Sequence, residues 1–294
     1  MIDFGLTAPP YGGCVFQWLD WAWRAFAQIF VMDFGKYAIA ASLAFVLLWI
    51  VFREPMKRRK IQKRTAPASQ LRREFLWSLS SVIVYGLVGI GIVLMIQGGW
   101  SRLYLSIDQE GWGYWAASLA AMIVLHDAWF YWTHRMMHHP RLFRFFHLTH
   151  HRSHNPSPWA AYSFAPPEAL VQALFTPIAL LLMPLHPSVL VIWGLHQIIR
   201  NVLGHSGYEL FPRGTATHWF GKWINTHTHH DLHHSKGSGN YSLYFNWWDR
   251  AMGTLREDYE ATFAAVTNPV RPEIDTPARL LPAADAVSAR RRSG

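Results

Sequence analysis

Residues 111–139 read "GWGYWAASLAAMIVLHDAWFYWTHRMMHH". From Gly111 to Leu125 the stretch is apolar and uncharged; beyond His126 it becomes polar and ends in histidines. A helix with this pattern crosses hydrocarbon and arrives at one membrane surface carrying imidazoles. His134 and His138 are i and i+4, about 40° apart on one helical face, so both can reach one metal.

Further histidines repeat the theme downstream. "HLTHH" holds His147, His150 and His151, and "HDLHH" holds His230, His233 and His234. A spacing of i, i+3, i+4 confines three imidazoles to an arc of about 100° on a helix. All 17 histidines lie at or beyond His126, so the first 125 residues contain none. A single HxxxH says little, but one HxxxH and two HxxHH groups on one membrane face form a specific pattern. Eight imidazoles exceed the roughly four ligands of a tetrahedral zinc and suit two metals with open positions. A divalent cation favours neutral imidazoles, which would otherwise repel one another on protonation. His205, in "GHSGYEL", emerges on the same face and is read as a ninth metal ligand.

The remaining histidines sort differently. His126 precedes His134 by eight residues, hence about 80° round the helix and some 12 Å along it, which suits a supporting or structural role. His139, His154, His196, His227 and His229 are neighbours whose roles stay open, while His186 and His218 are expected to be structural. Metal-bound histidines usually pass their second N–H to a carboxylate or carbonyl. Asp127, Asp231, Asn240 and Asp249 are the candidates; the alternatives are a turn cap at Asp231 and an Asp249–Arg250 pair.

Composition points to a membrane. The 294 residues are 51% hydrophobic and 15% charged, and the apolar residues come in long blocks. Besides the quoted segment, Tyr37 to Phe52 is uncharged but slightly short for a span, and Phe75 to Trp100 is long enough. The Trp-rich "FQWLDWAWRAFAQIF" before the first block reads as an interfacial segment. Ala169 to Leu203 is broken by Pro184 and Pro187 and reads as a helical hairpin.

The net charge of +9 does not signal nucleic acid, because nine Lys and Arg fall between Arg53 and Arg73, directly between two apolar blocks. The positive-inside rule assigns that loop to the cytoplasm. The N-terminus and the 101–110 loop then lie outside, and every dense histidine cluster lies on the cytoplasmic face. The expected fold is all-α: a polytopic integral membrane protein with about four spanning or hairpin regions and a cytoplasmic histidine-rich helical cap. Residues 1–110 form an N-terminal membrane region, 111–270 a catalytic region, and 271–294, rich in Pro, Ala and Arg, a flexible tail. No cleavable signal peptide is expected, since the N-terminus lacks a basic n-region. With no endoplasmic-reticulum retrieval signal, a bacterial inner membrane is the expected location.

Several chemistries are excluded. Cys14 is the only cysteine, so there is no disulfide framework, cysteine zinc finger or self-held iron–sulfur cluster. No HExxH, GxSxG or P-loop occurs, and "GLVGIG" in the second block reads as helix packing. Nitrogen-only ligation with open positions suits iron and dioxygen.

The stretch "HDAWFYWTHRMMHHPRLFRFFHLTHHRSHNPSPWAAYSFAPPEAL", with "LGHSGYEL", "HDLHHSKGSGNY" and "WWDRAMGT", resembles the fatty acid hydroxylase/sterol desaturase superfamily from about His126 to Thr254. Similar sequences usually read LFGT near the end, where this chain has Ala251 and Met252. The resemblance implies an integral membrane enzyme whose histidine-bound pair of iron ions uses dioxygen and two electrons to hydroxylate or desaturate a lipid or sterol. Zinc could substitute for iron in purified protein. It implies metal-ligand and catalytic roles for His134, His138, His147, His150, His151, His230, His233 and His234.

The expected partners are a lipid, fatty acyl or sterol-like substrate and a separate electron donor of reductase, cytochrome b5 or ferredoxin type, an acidic one docking on the basic 53–73 surface. Trp129, Phe130 and Trp132 are candidates for the substrate lining, or else for interface anchoring. The rival reading is a histidine-rich membrane metal transporter or metal-binding protein, whose ligands would line a path within the spans. A bis-histidine haem carrier would leave most of these histidines unexplained.

Overall fold

The computed structural model describes residues 8–9 and 13–268. The tail expected at 271–294 lies outside them. The described residues are helical, with three isolated bridges and no strand among them.

Two long helices pack against each other at the N-terminal side: α1 (Val15–Phe45), which runs on through a π turn to Val51, and α2 (Ala68–Gln97). These are the two helices among the described residues that are long and apolar enough to cross a membrane. The Trp-rich segment expected before Tyr37 is the first half of α1, continuous with the apolar block because no proline or turn sequence interrupts the pattern between Val15 and Phe45. At 37 residues this helix rises about 55 Å, well beyond a bilayer core of about 30 Å.

The glycines of "GLVGIG" show why the pair lies close. A Cβ on Gly86 would sit 2.7 Å from the Phe26 ring, and one on Gly89 would sit 2.8 Å from Ile29. Gly91 has open space around it. Two glycines one turn apart thus let α1 approach the backbone of α2.

Helix α3 (Gly111–Met137) follows, starting at Gly111, whose φ is 80°, and then come α4 (Pro140–Phe146) and α5 (Leu148–His151). The expected hairpin is present as α6 (Pro166–Ala173) and α7 (Phe175–Leu182) going one way and α8 (Pro187–Gly204) returning. Proline occupies the first turn of α4, α6 and α8, where its missing N–H costs no helical bond. The hairpin's turn meets the loop after α2: Arg102 N–H donates to Leu180 O, and Tyr104 N–H to Leu185 O. α3 and the hairpin therefore run between the same two ends as α2, although neither qualifies as a span by length and apolarity. Beyond them lie α9 (His227–Lys236), α10 (Trp247–Ala251) and α11 (Tyr259–Thr267).

Two segments depart from a simple bundle. Residues 153–165, including a 3₁₀ turn at Pro158–Tyr162, run as buried irregular backbone between α1, α2 and α8. Such backbone needs partners away from water. They come from Tyr37 and Ser78, which donate to Trp159 O, and Asn201, which donates to Ala161 O. Glu74 bonds Ser157 and Gln70 at the same place.

The second departure is the basic loop. It is strapped onto the histidine region: Ile61 N–H donates to Gly207 O, Glu209 N–H to Arg59 O, and Gln62 to Asp231 and His154 O. Lys60 caps the ring faces of Trp49 and Tyr208. The positive loop and the histidines thus occupy the same end of the helices.

The α1–α2 contact generates a test. Gly86→Leu and Gly89→Leu should each destabilise the detergent-purified protein by about 1–3 kcal/mol through overpacking. Gly91→Leu should leave the thermal midpoint nearly unchanged, and equal effects at all three positions would rule out the close approach.

Candidate metal centre

Nine histidines meet at the end of α3, α5, α8 and α9, and they fall into two groups. His134, His138, His147, His151 and His233 form one; His150, His205, His230 and His234 form the other. All are buried except His138, which is half-buried. Within each group one ligating atom per residue lies within 4.8 Å of all the others.

The split follows helical geometry. In α9, His230 and His234 are i and i+4 and go to one group, while His233 goes to the other. Around α5, His147 and His151 are i and i+4 and stay together, while His150 crosses over. Positions i and i+4 differ by about 40°, whereas i+3 lies about 100° from i+4, so one HxxHH box serves two centres. The groups share a wall where the His151 and His234 rings stack at 5.2 Å.

The protons explain what such an arrangement is for. His134 Nδ1 lies 2.7 Å from Tyr241 O, His233 Nδ1 2.7 Å from Gly239 O, and His205 Nδ1 2.7 Å from Asn201 O. A carbonyl only accepts, so each Nδ1 carries the hydrogen and each neutral ring turns a bare Nε2 lone pair inward. Those atoms nevertheless crowd together. His134 Nε2 is 2.8 Å from His147 Nε2, and His151 Nε2 is 2.9 Å from His233 Nε2 and 3.1 Å from His138 Nε2. In the second group, His205 Nε2 is 2.9 Å from His230, 3.2 Å from His234 and 3.2 Å from His150.

Converging lone pairs repel unless a cation lies among them. Two nitrogens each about 2.1 Å from one ion are about 3.0 Å apart at a right angle and about 3.4 Å apart at a tetrahedral angle. The observed spacings of 2.8–3.2 Å are of the size that nitrogens sharing one ion take, and five or four such donors fit a transition-metal ion in each group. For a six-coordinate ion, five or four imidazoles leave positions for other ligands.

Burial supports the neutral form. It holds His138 down to about 2 and His205 to about 4, with His233's charge adding to the effect at His138. His150, His233 and His234 are likewise held well below the usual imidazole value, first by burial and then by their neighbours.

The turn "GSGNY" positions the carbonyls. Gly237, Gly239 and Asn240 have φ of 75°, 74° and 55°, a left-handed run that suits glycine and asparagine. A Cβ on Gly239 would meet Arg256 and Thr254 O at 2.9 Å. This turn brings Gly239 O onto His233 and Tyr241 O onto His134.

Four polar residues expected to orient the histidines do other work, because closer carbonyls fill that place. Asp127 accepts from Tyr244 N–H, Phe245 N–H and Trp247 Nε1. Asn240 donates to His229 O, and Asp231 accepts from Gln62. Asp249 lies 3.2 Å from His229, which is not among the nine, and Arg250 pairs with Glu260 instead.

The carboxylate that does touch a clustered histidine is Glu168. Its Oε1 is 2.6 Å from His147 Nδ1, both side chains are 1% exposed, and Oε2 has no partner. Sequence reasoning passed over it, yet it is the single acidic residue between Asn155 and Tyr208, a lone carboxylate in an apolar stretch.

The other histidines are placed individually. His126 Nδ1 meets Tyr244 OH at 2.9 Å, and His196 packs on the same tyrosine ring. His139 and His186 cap α4 and α8. His218 accepts from Phe220 and Gly221 N–H, and His227 lies against Tyr208 O. The His154 side chain is exposed and belongs to neither group.

Fold and site define an all-helical protein, with two helices able to span a membrane, that presents two buried imidazole groups suited to cations. Comparison with known proteins is specific. The fatty acid hydroxylase family profile matches residues 119–254. A Delta(7)-sterol 5(6)-desaturase of Gibberella zeae is 30% identical over 231 residues, covering 78% of this chain and 68% of that protein. Lathosterol oxidase of Rattus norvegicus is 29% identical over 192 residues, 64% of this chain and 62% of the other. Methylsterol monooxygenase 1 of the same organism is 32% identical over 145 residues, 49% and 48% of the two chains. No solved structure matches. The chain belongs to the fatty acid hydroxylase/sterol desaturase superfamily.

Two outcomes follow from this geometry. Glu168→Ala should weaken metal retention about 10–100-fold and Glu168→Gln less, measured as bound metal after graded chelation; unchanged retention in both would remove Glu168 from the centre.

The second concerns pH. Burial holds His227 at about 4 and His138 at about 2, below the ordinary imidazole value of about 6.5. Below about 6.5 the unfolded chain takes up protons that the folded one refuses. Stability of the metal-free protein is therefore full above that pH and falls as pH drops, by about 1.4 kcal/mol per pH unit for each such histidine. Thermal melts from about pH 8 to about pH 5 read this directly, and a flat profile would contradict it.

Proposed function

We propose that this protein is a membrane-bound oxidoreductase that uses dioxygen and external electrons to hydroxylate or desaturate a C–H bond of a lipid, fatty acyl or sterol-like substrate. The observation that carries the reading is the convergence of nine inward-facing Nε2 atoms in two adjacent groups, in a chain related to sterol desaturases and oxidases. His134, His138, His147, His151 and His233 would hold one iron ion, and His150, His205, His230 and His234 the other. A bound iron pair supplies dioxygen activation and one-electron chemistry that no side chain here provides.

The chain's own residues bind, orient and exclude water. Tyr241 O, Gly239 O, Asn201 O and Glu168 fix the Nδ1 protons of His134, His233, His205 and His147, so those four Nε2 atoms face the centre without rotamer search. Phe130 packs 5.0 Å from His134 and Phe164 packs 4.9 Å from His150, one ring beside each group. Both are buried, and Phe143 closes over His138 and His151 at 5.3 and 5.5 Å. These rings keep the reacting carbon away from water. Of the three expected lining aromatics, Phe130 is the one that packs on a clustered histidine and would line the substrate site. Trp132 is 46% exposed and packs on Trp248, and Trp129 donates to Val171 O.

The substrate chain would lie among α3 and the α6–α8 hairpin, giving about four membrane regions. The positive-inside rule puts the strapped basic loop, and the centre with it, in the cytoplasm. A transporter reading is disfavoured because the imidazoles are gathered at one end of the helices rather than spaced along a path. A bacterial inner membrane remains the proposed location.

Anaerobic purification should give about two iron ions per chain, as two groups of imidazoles require, with no haem absorption. Cells expressing the protein should accumulate a lipid that has gained one oxygen atom or lost two hydrogen atoms. His150→Ala or His233→Ala should each abolish that product and lower iron content while the protein still inserts. Full activity after either change would refute the assignment, and oxygen-independent metal flux into vesicles would establish transport instead.

A further inference from the structure

We propose that the turn at 212–223 is a membrane anchor, seating Trp219 and Phe220 in the leaflet at the histidine end of the helices and laying Arg213 and Lys222 against lipid phosphates. This rests on the membrane placement of α3 and the hairpin given above. The turn is tightly closed. His218 Nδ1 accepts from Phe220 and Gly221 N–H, and Lys222 N–H donates to His218 O at 2.9 Å. A Cβ on Gly221 would meet Thr215 O at 2.7 Å. Yet the turn presents its largest apolar side chains outward. Trp219 is 75% exposed and Phe220 58%, with their rings 5.8 Å apart. An ordered turn that shows two large rings to the outside marks a contact surface.

What covers it follows from depth, continuity and charge. On α3, exposed Trp112 and exposed Trp132 are 20 residues apart, about 30 Å of helix, which is the thickness of a hydrocarbon core. That spacing puts one indole at each interface. The end of the turn is pinned beside the second of them. Asn225 N–H donates to Tyr244 O and Asn246 N–H to Trp223 O, while Asp127 of α3 accepts from Tyr244 N–H and Trp247 Nε1. Arg200, one turn before the end of α8, donates to Asn225 O at 2.7 Å. The turn therefore leaves the fold at the level of the interface. Leu125, Trp132 and Met136 share one face of α3 within about 40°, and all are exposed, so the lipid-facing stripe runs on to the level of His134 and His138. Trp132 packs on Trp248 of α10, and the Arg250 guanidinium of the same helix lies 5.8 Å from the Trp223 ring, which joins the stripe to the turn. No acid lies between Phe211 and Ile224, whereas Arg213 and Lys222 do. Lys222 Nζ is 5.0 Å from the Trp223 ring, and Glu260 is paired with Arg250. Indoles at headgroup depth with cations and no acid beside them suit an anionic phospholipid surface.

The anchor acts on where the centre lies, not on its ligands. With the turn seated, the end of α3 and both histidine groups are held at headgroup depth. The apolar part of a lipid then reaches them without leaving the bilayer.

The test uses the full chain with Cys14→Ser in phosphatidylcholine vesicles, carrying one nitroxide label through Phe220→Cys, Thr217→Cys, Leu87→Cys or Glu257→Cys. Electron paramagnetic resonance reads collision of each label with dioxygen and with a water-soluble nickel chelate. Lipid admits dioxygen and excludes the chelate, water favours the chelate, and burial in protein lowers both. Leu87, exposed on α2, and Glu257, exposed between α10 and α11, are the lipid and water references. The label at 220 should match that at 87, with nickel accessibility about ten-fold below that at 257, and the label at 217 should lie between. Trp219→Ser should raise nickel accessibility at 217 several-fold. Lys222→Glu should do the same in vesicles of equal parts phosphatidylcholine and phosphatidylglycerol, and less so at high salt. Nickel accessibility at 220 equal to that at 257, or no change at 217 in Trp219→Ser and Lys222→Glu, would overturn the anchor. Low accessibility to both reagents with dipolar broadening between labels would overturn it in favour of a second copy of the chain. A label at 87 as open to nickel as that at 257 would instead overturn the membrane placement beneath it.

Discussion

Nine imidazoles crowded into two buried groups are the constraint on which the structure depends. Carbonyls of Tyr241, Gly239 and Asn201 fix the hydrogen of three rings on Nδ1, which leaves their Nε2 atoms facing Nε2 atoms of neighbours at 2.8–3.2 Å. Burial forbids the alternative of protonating the rings. A cation in each group would draw these nitrogens together, and much of the irregular backbone is spent on holding the rings in place. The left-handed turn at 237–240 and the carboxylate of Glu168 belong to that effort.

The apolar part of the molecule serves the same end. α1 and α2 close on each other through Gly86 and Gly89, and with α8 they satisfy the buried irregular backbone of 153–165. That segment links His150 and His151 to Glu168, so the long helices fix where the second histidine box lies relative to its carboxylate. The basic loop between α1 and α2 folds back over Gly207 and Asp231, binding the N-terminal helices to the histidine-bearing region. Membrane-type helices and polar centre are one structure.

Much of this was legible in the sequence. Helical spacing of His134 with His138, and of the two HxxHH boxes, marked the residues that converge, and the absence of histidines before His126 marked where the centre would lie. His205 was placed by its position at the end of the hairpin. The division into five and four was not legible, because it depends on how α5 and α9 are turned toward each other. The partners of Nδ1 were missed for a related reason. Backbone carbonyls leave no trace in residue identity, so Asp127, Asp231, Asn240 and Asp249 were favoured over Tyr241 O and Gly239 O. Glu168 did leave a trace, as a lone acid in an apolar stretch. The long α1 was read as two pieces because its tryptophans look interfacial, while nothing in that stretch ends a helix.

The most direct measurement is anomalous diffraction at the iron edge from crystals of protein purified anaerobically with iron. Two separate peaks should appear, one among the Nε2 atoms of His134, His138, His147, His151 and His233 and the other among those of His150, His205, His230 and His234. A single peak, or peaks away from both groups, would contradict the two-ion centre.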